Sequence, residues 1–209
     1  VKKSRSLKLS KEAEPQPDQL FTEKAGIFSE FAKVVCIGIG CLAGDAEQPR
    51  LVLKSLTHDD EKVLLNKFCD ALVRFTERFP DLRFCGHNIR EFDIPFLSRR
   101  MVIHNMYLPS CMQWQGKKPW EINILDTLDL WKFGDHKHYT SLDLLAEVLG
   151  IPSPKDDIDG SMVGEVYWKE QDLNRIARYC TRDVLTTAKV YLRLSGNGSL
   201  RPEPQIVED

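Results

Sequence analysis

Hydrophobic positions near the start of the chain follow strand spacing first and helix spacing afterwards. Residues 33–43 (KVVCIGIGCLA) are β-branched and apolar, and residues 50–57 (RLVLKSLT) alternate between apolar and polar. With a polar turn between them, these two runs predict an antiparallel hairpin. The following apolar positions recur at helical spacing up to a proline, which predicts a helix capped by Thr57 or Asp59.

The second half of the chain alternates strand-like and helix-like segments. A short apolar run predicts a buried strand, and the segment after it predicts a helix with a proline near its start. A further strand is expected to end at Asp126, before a short helix capped by Ser141 and closed by Gly150. The pattern predicts an α/β protein with a mixed sheet flanked by helices. The first strand covers residues 81–88, the helix after it residues 89–106 and the further strand residues 121–131, and a long final helix runs from about Asp172 to Leu194.

Composition indicates one domain. A chain of 209 residues with 42% hydrophobic and 29% charged residues can bury a sizeable core without disulfides. We expect a flexible polar segment over residues 1–20, one domain over 21–195 and a disordered tail over 196–209. The chain shows neither an apolar run of membrane length nor a signal peptide, so we expect a soluble, cytoplasmic protein without a membrane partner. Nothing in the sequence indicates the oligomeric state.

Charge and cysteine content limit the classes of function. The net charge of −2 argues against a protein that coats nucleic acid by bulk attraction, but it is compatible with an enzyme that acts on nucleic acid. The six cysteines form no C-x-x-C pair and are expected to be reduced core residues. His136 and His138 have H-x-H spacing, but no cysteine lies nearby to complete a zinc site.

Two acidic residues, Asp93 and Asp183, lie next to predicted buried segments, where a carboxylate is unexpected. Asp93 follows a predicted buried strand that ends at Asn88, and ligands of α/β sheets bind beyond the carboxyl ends of strands. An isolated acid there would ordinarily be a helix-start residue favoured by the macrodipole. Asp183 lies at the edge of the apolar stripe of the final helix, with Tyr179 one turn earlier. A carboxylate at the rim of a core needs a partner.

These residues carry a family resemblance. The pattern N-x-x-x-F-D from Asn88 to Asp93, followed by Y-x-x-x-D from Tyr179 to Asp183, resembles the second and third motifs of the DEDDy 3'-5' exonucleases. The sequence most resembles predicted exonucleases related to the proofreading domain of family B DNA polymerases, over about residues 21–194. The resemblance implies a ribonuclease H-like fold and a hydrolase that cuts phosphodiester bonds.

The same resemblance implies roles for individual residues. Asp93 and Asp183 would hold two divalent ions, Mg2+ or Mn2+, and Tyr179 would direct its hydroxyl at the attacking water. Asn88 would face the terminal nucleotide, whereas His87 and Asp126 would be structural. The substrate would be the 3' end of single-stranded or frayed DNA or RNA, and the products nucleoside 5'-monophosphates. Spacing alone would more readily explain Tyr179 as an aromatic residue at the edge of the core.

The sequence departs from the family at its first motif, D-x-E on the opening strand. Asp45 to Glu47 has the spacing but falls in the hairpin turn, and Asp59 to Glu61 opens a helix. We expect the opening strand to precede Val1. The alternative is a non-catalytic nucleic-acid-binding relative that lacks a complete metal site. A third interpretation, an unrelated α/β protein with chance motifs, requires Asp93 and Asp183 to lie far apart.

A second segment has a composition suited to nucleic acid. Residues 112–121 (MQWQGKKPWE) combine Trp114 and Trp120 with Lys117 and Lys118, without helical or strand periodicity. Such residues can stack on bases and contact phosphates. Tryptophans that anchor a long loop over the core, with lysines in solvent, explain the segment equally well.

Overall fold

The predicted hairpin opens the fold. In the computed structural model, strand β1 (Cys36–Ala43) pairs antiparallel with β2 (Arg50–Thr57), and Cys36 lies opposite Thr57. Leu51 and Leu53 are buried on one face of β2 and Leu56 on the other, so both faces of the strand are covered. The structure describes residues 24–43, 50–135, 137–152, 158–196 and 205–208, the last four as backbone. The expected flexible segment, residues 1–20, lies outside these ranges.

Helix α1 (Glu61–Arg78) follows β2 and covers one face of the sheet. Its N-cap is Asp60, whose carboxylate accepts the N–H of Val63 at 3.1 Å. The predicted caps were therefore wrong: Thr57 lies three residues before the observed cap, and Asp59 lies one residue before it. The helix buries the apolar stripe that predicted it, formed by Leu64, Leu65, Phe68 and Leu72.

A parallel pair of strands forms the second sheet. Strand β3 (Phe84–Gly86) pairs with β4 (Ile124–Asp126), so that Gly86 lies opposite Asp126. Helix α2 (Asp93–Ile103) follows β3, and α3 (Thr127–Lys132) follows β4 directly. The predicted order of strand, helix and strand is confirmed in this region.

The remaining helices form the other layer. Helix α4 (Leu142–Val148) is capped by Ser141, whose hydroxyl accepts the N–H of Leu144, as predicted. The short helix α5 (Val163–Glu165) continues as a π-helix (Val166–Glu170). Helix α6 (Leu173–Ser195) is the predicted long final helix and packs against β1, β2 and β3. Three 3-10 turns complete the regular structure of the described residues: Ala25–Ile27, Ser110–Met112 and Pro119–Glu121.

The strands of the described residues form two sheets, whereas the sequence predicted one mixed sheet. A mixed sheet has the order β1-β2-β5, where β5 (Gln205–Glu208) runs parallel to β2, and β3 and β4 form the other. Residues 205–208 were expected in a disordered tail; instead their backbone pairs with the outer edge of β2. The rest of that tail from residue 197 lies outside the described ranges.

Close packing joins β1 to α6. A Cβ built on Gly38 would lie 2.9 Å from the Cys180 carbonyl oxygen and 2.9 Å from the Val184 side chain. Glycine at this position therefore lets the strand approach the helix backbone. All six cysteines are free, as expected, although Cys85 is exposed rather than in the core.

A buried ion pair ties α1 to α2 and to the chain before β1. The Glu61 carboxylate, 6% exposed as a residue, accepts the Arg100 Nε–H at 2.8 Å and the Val34 N–H at 2.8 Å. Arg100 also donates to the Ser29 carbonyl oxygen, and His104 Nε2 lies 2.7 Å from Glu61. This network anchors the segment that leads into β1.

Among the described residues, no helix is both long enough and apolar enough to cross a membrane.

Candidate active site

Asp126 holds the loop that leads to Asp93. Its carboxylate accepts N–H bonds from Asn88 at 2.8 Å, Arg90 at 3.1 Å and Leu128 at 3.0 Å, and the residue is 4% exposed. It therefore caps α3 and fixes the loop at the end of β3 with one charged group. This agrees with the structural role that the sequence indicated for Asp126.

His87 is also structural in its contacts. Its Nδ1 lies 2.9 Å from the Thr127 hydroxyl, and its Nε2 lies 2.8 Å from the Thr140 carbonyl oxygen. Burial lowers the pKa of the imidazole, although the Thr140 carbonyl opposes this effect. With both ring nitrogens engaged, His87 links β3 to α3 and to the start of α4.

Asn88 occupies the turn between β3 and α2. Its φ of 58° is left-handed, a conformation that asparagine tolerates better than most residues. Its carbonyl oxygen accepts the Phe92 N–H at 3.0 Å and closes the turn. Within the part of the chain that the structure describes, no hydrogen bond uses the Asn88 side-chain amide. That amide is half-buried and open to a ligand.

Tyr179 and Asp183 lie one turn apart on α6, and each side chain shifts the pKa of the other. Tyr179 also packs in an apolar cluster with Val166 and Ile176. Burial raises the pKa of the Tyr179 hydroxyl well above its usual range, and the Asp183 charge adds to this effect. The phenol is therefore protonated at neutral pH and is available to donate a hydrogen bond to Asp183.

The two predicted carboxylates lie within electrostatic reach of each other. Burial of its carboxyl group raises the pKa of Asp93 to about 6, although the residue as a whole is exposed. Burial also raises the pKa of Asp183 to about 6, against the opposing effect of the Tyr179 hydroxyl, and the Asp93 charge contributes to the rise. The Asp93 charge acts on Cys180 of α6 as well. The interpretation as an unrelated protein required these two acids to be far apart, and their electrostatic interaction argues against it.

Asp143 is a third acid in this neighbourhood that the sequence did not single out. It is exposed in the first turn of α4, and its charge raises the pKa values of Asp183 and Tyr179. An acid after a serine cap is fully explained by the helix dipole, so the sequence carried no signal for this second role.

The described residues do not contain a complete metal site. No group of three or more His, Cys, Asp or Glu side chains in the described ranges is placed to hold an ion. Of the possible D-x-E motifs, Glu61 is bound by Arg100 and Asp59 by Tyr167 at 3.1 Å, while residues 45–47 lie outside the described ranges. His138 is exposed and pairs with Asp135, and residue 136 also lies outside those ranges.

The segment over residues 112–121 separates into a core tryptophan and an exposed one. Trp114 packs edge-on against Phe84, with ring centroids 6.2 Å apart, and its Nε1–H donates to the Cys111 carbonyl oxygen. Trp120 is 76% exposed beneath the Lys118 ammonium at 5.3 Å. It precedes β4, at the opposite end of that strand from Asp126. Trp114 therefore anchors the loop, and Trp120 stands away from the two acids.

Comparison with known proteins agrees with these motifs. The family model of predicted 3'-5' exonucleases related to the exonuclease domain of PolB matches residues 27–204. A search of curated proteins found no match. The matched region contains both acids, Tyr179 and Asn88. The chain belongs to the family of predicted 3'-5' exonucleases related to the exonuclease domain of PolB.

Proposed function

We propose that this chain is a metal-dependent 3'-5' exonuclease domain with a ribonuclease H-like fold. It hydrolyses phosphodiester bonds from the 3' end of single-stranded or frayed DNA or RNA and releases nucleoside 5'-monophosphates. The observation that supports this most directly is that the Asp183 carboxylate interacts both with Tyr179 on its own helix and with Asp93, which follows β3. Family membership supports the class of reaction.

The two carboxylates suit divalent Mg2+ or Mn2+. Both are hard oxygen donors, and both have raised pKa values because burial and neighbouring acids leave their charges uncompensated. Asp93 and Asp183 would each ligate the ions. When bound, the metals lower the pKa of water and offset negative charge at the phosphate.

Tyr179 orients the attacking water rather than removing its proton. Its pKa is raised by burial, so the phenol keeps its proton and can only direct a hydrogen bond. Packing against Val166 and Ile176 holds the ring in place. Asn88 contacts the terminal nucleotide through its amide, which offers both donors and an acceptor.

A D-x-E motif would need a further strand. Within the described residues, β1 pairs only with β2 and β3 only with β4, while α6 contacts both sheets. A strand that carries D-x-E and pairs with a free edge of either sheet would supply two further carboxylates beside the layer formed by α6.

The test is hydrolysis of 3'-labelled DNA and RNA oligomers by the full-length polypeptide with Mg2+ or Mn2+. Asp183→Ala should abolish release of mononucleotides, because it removes a ligand and the Tyr179 partner. The matched control is Asp135→Ala, which removes an exposed acid whose partners, His138 and the Lys137 N–H, lie within the same turn. Equal cleavage by the wild-type protein and Asp183→Ala would refute the proposal.

The second candidate is a nucleic-acid-binding relative without catalysis. It is favoured by one observation, that no described set of three or more ligands surrounds Asp93 and Asp183. Binding of oligonucleotides without cleavage in either metal, by a polypeptide without D-x-E, would support this candidate over the enzyme.

A further inference from the structure

We propose that Trp168, supported by Lys33 and Tyr167, is a stacking platform for a base of the single-stranded nucleic acid whose 3' end enters the site. The proposal rests on the function proposed above and adds a binding residue to it. Trp168 is 69% exposed, so most of its indole ring is in contact with water. Exposed tryptophans beside a cation are suited to unpaired bases, whose faces are apolar and polarizable.

Three side chains preorganise the platform. The Lys33 ammonium lies 4.8 Å from the Tyr167 ring centroid and 5.6 Å from that of Trp168. The two rings meet edge to face at 4.8 Å with an interplanar angle of 74°. The indole is thus held by a cation–π contact and an aromatic contact before any ligand binds. Such preorganisation lowers the entropy cost of binding.

Hydrogen bonds hold Tyr167 itself. Its hydroxyl oxygen accepts from Lys33 Nζ at 2.6 Å and donates to the Asp59 carboxylate at 3.1 Å. The backbone at this point is a π-helix (Val166–Glu170), a rare form that is frequent at functional sites. Val166 is fully buried and fixes the turn, while the next two residues project from it.

The platform adjoins the candidate active site. Val166 and Tyr167 belong to the same apolar cluster as Tyr179, and so does Cys36 at the start of β1. Lys33 lies three residues before Cys36 along the chain. Trp168 directly follows Tyr167 and contacts its ring, so it adjoins the cluster that contains Tyr179.

The second exposed tryptophan provides a contrast. Trp120 has similar exposure and its own lysine, Lys118, at 5.3 Å from the ring. It lies before β4, away from the end of that strand where Asp126 holds the site loop. If a lysine-paired tryptophan were sufficient for binding, both would contribute; if position decides, only Trp168 does.

The test measures binding of a fluorescein-labelled single-stranded oligothymidylate by anisotropy, in EDTA so that no bond is cleaved. Trp168→Ala should weaken binding about tenfold, as expected for one lost stacking contact, and Trp168→Phe should retain most of the affinity. Lys33→Gln should lower the slope of log K against log salt by about one phosphate contact. Trp120→Ala is the matched control and should bind as the wild type does.

The outcomes separate this inference from the proposed function. If Trp168→Ala binds as tightly as the wild type while the wild type binds and cleaves, the platform is refuted and the exonuclease assignment is retained. If the wild type neither binds nor cleaves oligonucleotides, both fail. A weakening that Phe does not rescue, in a variant with unchanged thermal unfolding, also contradicts stacking.

Discussion

The Tyr179 hydroxyl is positioned to donate a hydrogen bond to the Asp183 carboxylate one helical turn further along α6, and each group shifts the pKa of the other. The bond favours the charged form of Asp183 and so opposes the effect of burial on its pKa. It also aims the phenol at the carboxylate proposed to ligate metal. Tyrosine and aspartate at this spacing thus act as a unit.

Tyr179→Phe should therefore change both rate and pH dependence. Loss of the bond raises the pKa of Asp183 further, so the acid limb of the pH–rate profile should move to higher pH. We expect kcat to fall about a hundredfold, as for a misplaced reactant, with KM little changed. Steady-state hydrolysis of a 3'-labelled oligomer measures both. Tyr191→Phe, about three turns further along the same helix, is the control, and equal losses in the two variants would contradict the assignment.

Asp183→Asn should stabilise the fold without metal. A pKa raised to about 6 means that the folded state binds a proton more tightly than the unfolded chain does. The ionised Asp183 carboxylate therefore destabilises the folded state at every pH above its folded pKa. This destabilisation disappears as the pH falls toward the pKa of aspartate in the unfolded chain. We expect a gain of about 1–3 kcal/mol in the free energy of unfolding near pH 7.5 that is largely lost near pH 4.5.

Urea unfolding without added metal measures this change. Asp135→Asn, at an exposed acid paired with His138, should leave the free energy of unfolding unchanged. A loss of stability in Asp183→Asn at neutral pH would mean that the carboxylate is stabilised in the fold and would contradict the raised pKa. The expected gain would also show that Asp183 is retained at a cost to stability.

Local spacing predicted most of the fold because each element has its own period. The hairpin and α1, α4 and α6 follow from apolar repeats and caps. The cap of α1 was misplaced because three candidate residues, Thr57, Asp59 and Asp60, lie within one turn. β5 carried no local signal, since its four residues follow two prolines in a polar segment.

The candidate site also contains residues that local spacing predicted and one that it did not. Asp93, Tyr179, Asp183 and Asn88 were predicted because they form spaced motifs. Asp143 was not, because its position on α4 already explains an acid, and only packing brings it near Asp183. Contacts between residues that are far apart in the sequence cannot be predicted from local spacing.

Gly38→Ala tests whether the approach of β1 to α6 positions the site. The added Cβ would lie 2.9 Å from the Cys180 carbonyl oxygen, a backbone atom that cannot rotate away. We expect a loss of about 1–3 kcal/mol in the free energy of unfolding, and lower activity because α6 also carries Asp183.

The matched control for that change is Gly164→Ala. A Cβ at Gly164 meets no atom within 4 Å, and the residue is helical in α5. Alanine there should be neutral or stabilise by about 0.5–1 kcal/mol. Thermal and urea unfolding of both variants would decide. If both substitutions changed the free energy of unfolding in the same direction, the close contact between β1 and α6 would be contradicted.

Glu61→Gln should be the most destabilising of these substitutions. Burial alone would raise the pKa of Glu61, but bonds from Arg100, the Val34 N–H and His104 outweigh it and lower the pKa. Removing the charge leaves Arg100 buried without its counter-charge, which costs about 3–5 kcal/mol. The control is Glu165→Gln in an exposed pair with Lys169, which should cost less than about 1 kcal/mol.

The pH dependence of the same variant provides a second measurement. A lowered folded pKa contributes stability that is present above the unfolded value of about 4.3 and is lost as pH falls through the folded pKa. The difference in free energy of unfolding between wild type and Glu61→Gln should therefore be constant near neutral pH and narrow below about pH 4. A difference that stays constant into strong acid would mean that lost packing, rather than the lost charge, causes the destabilisation.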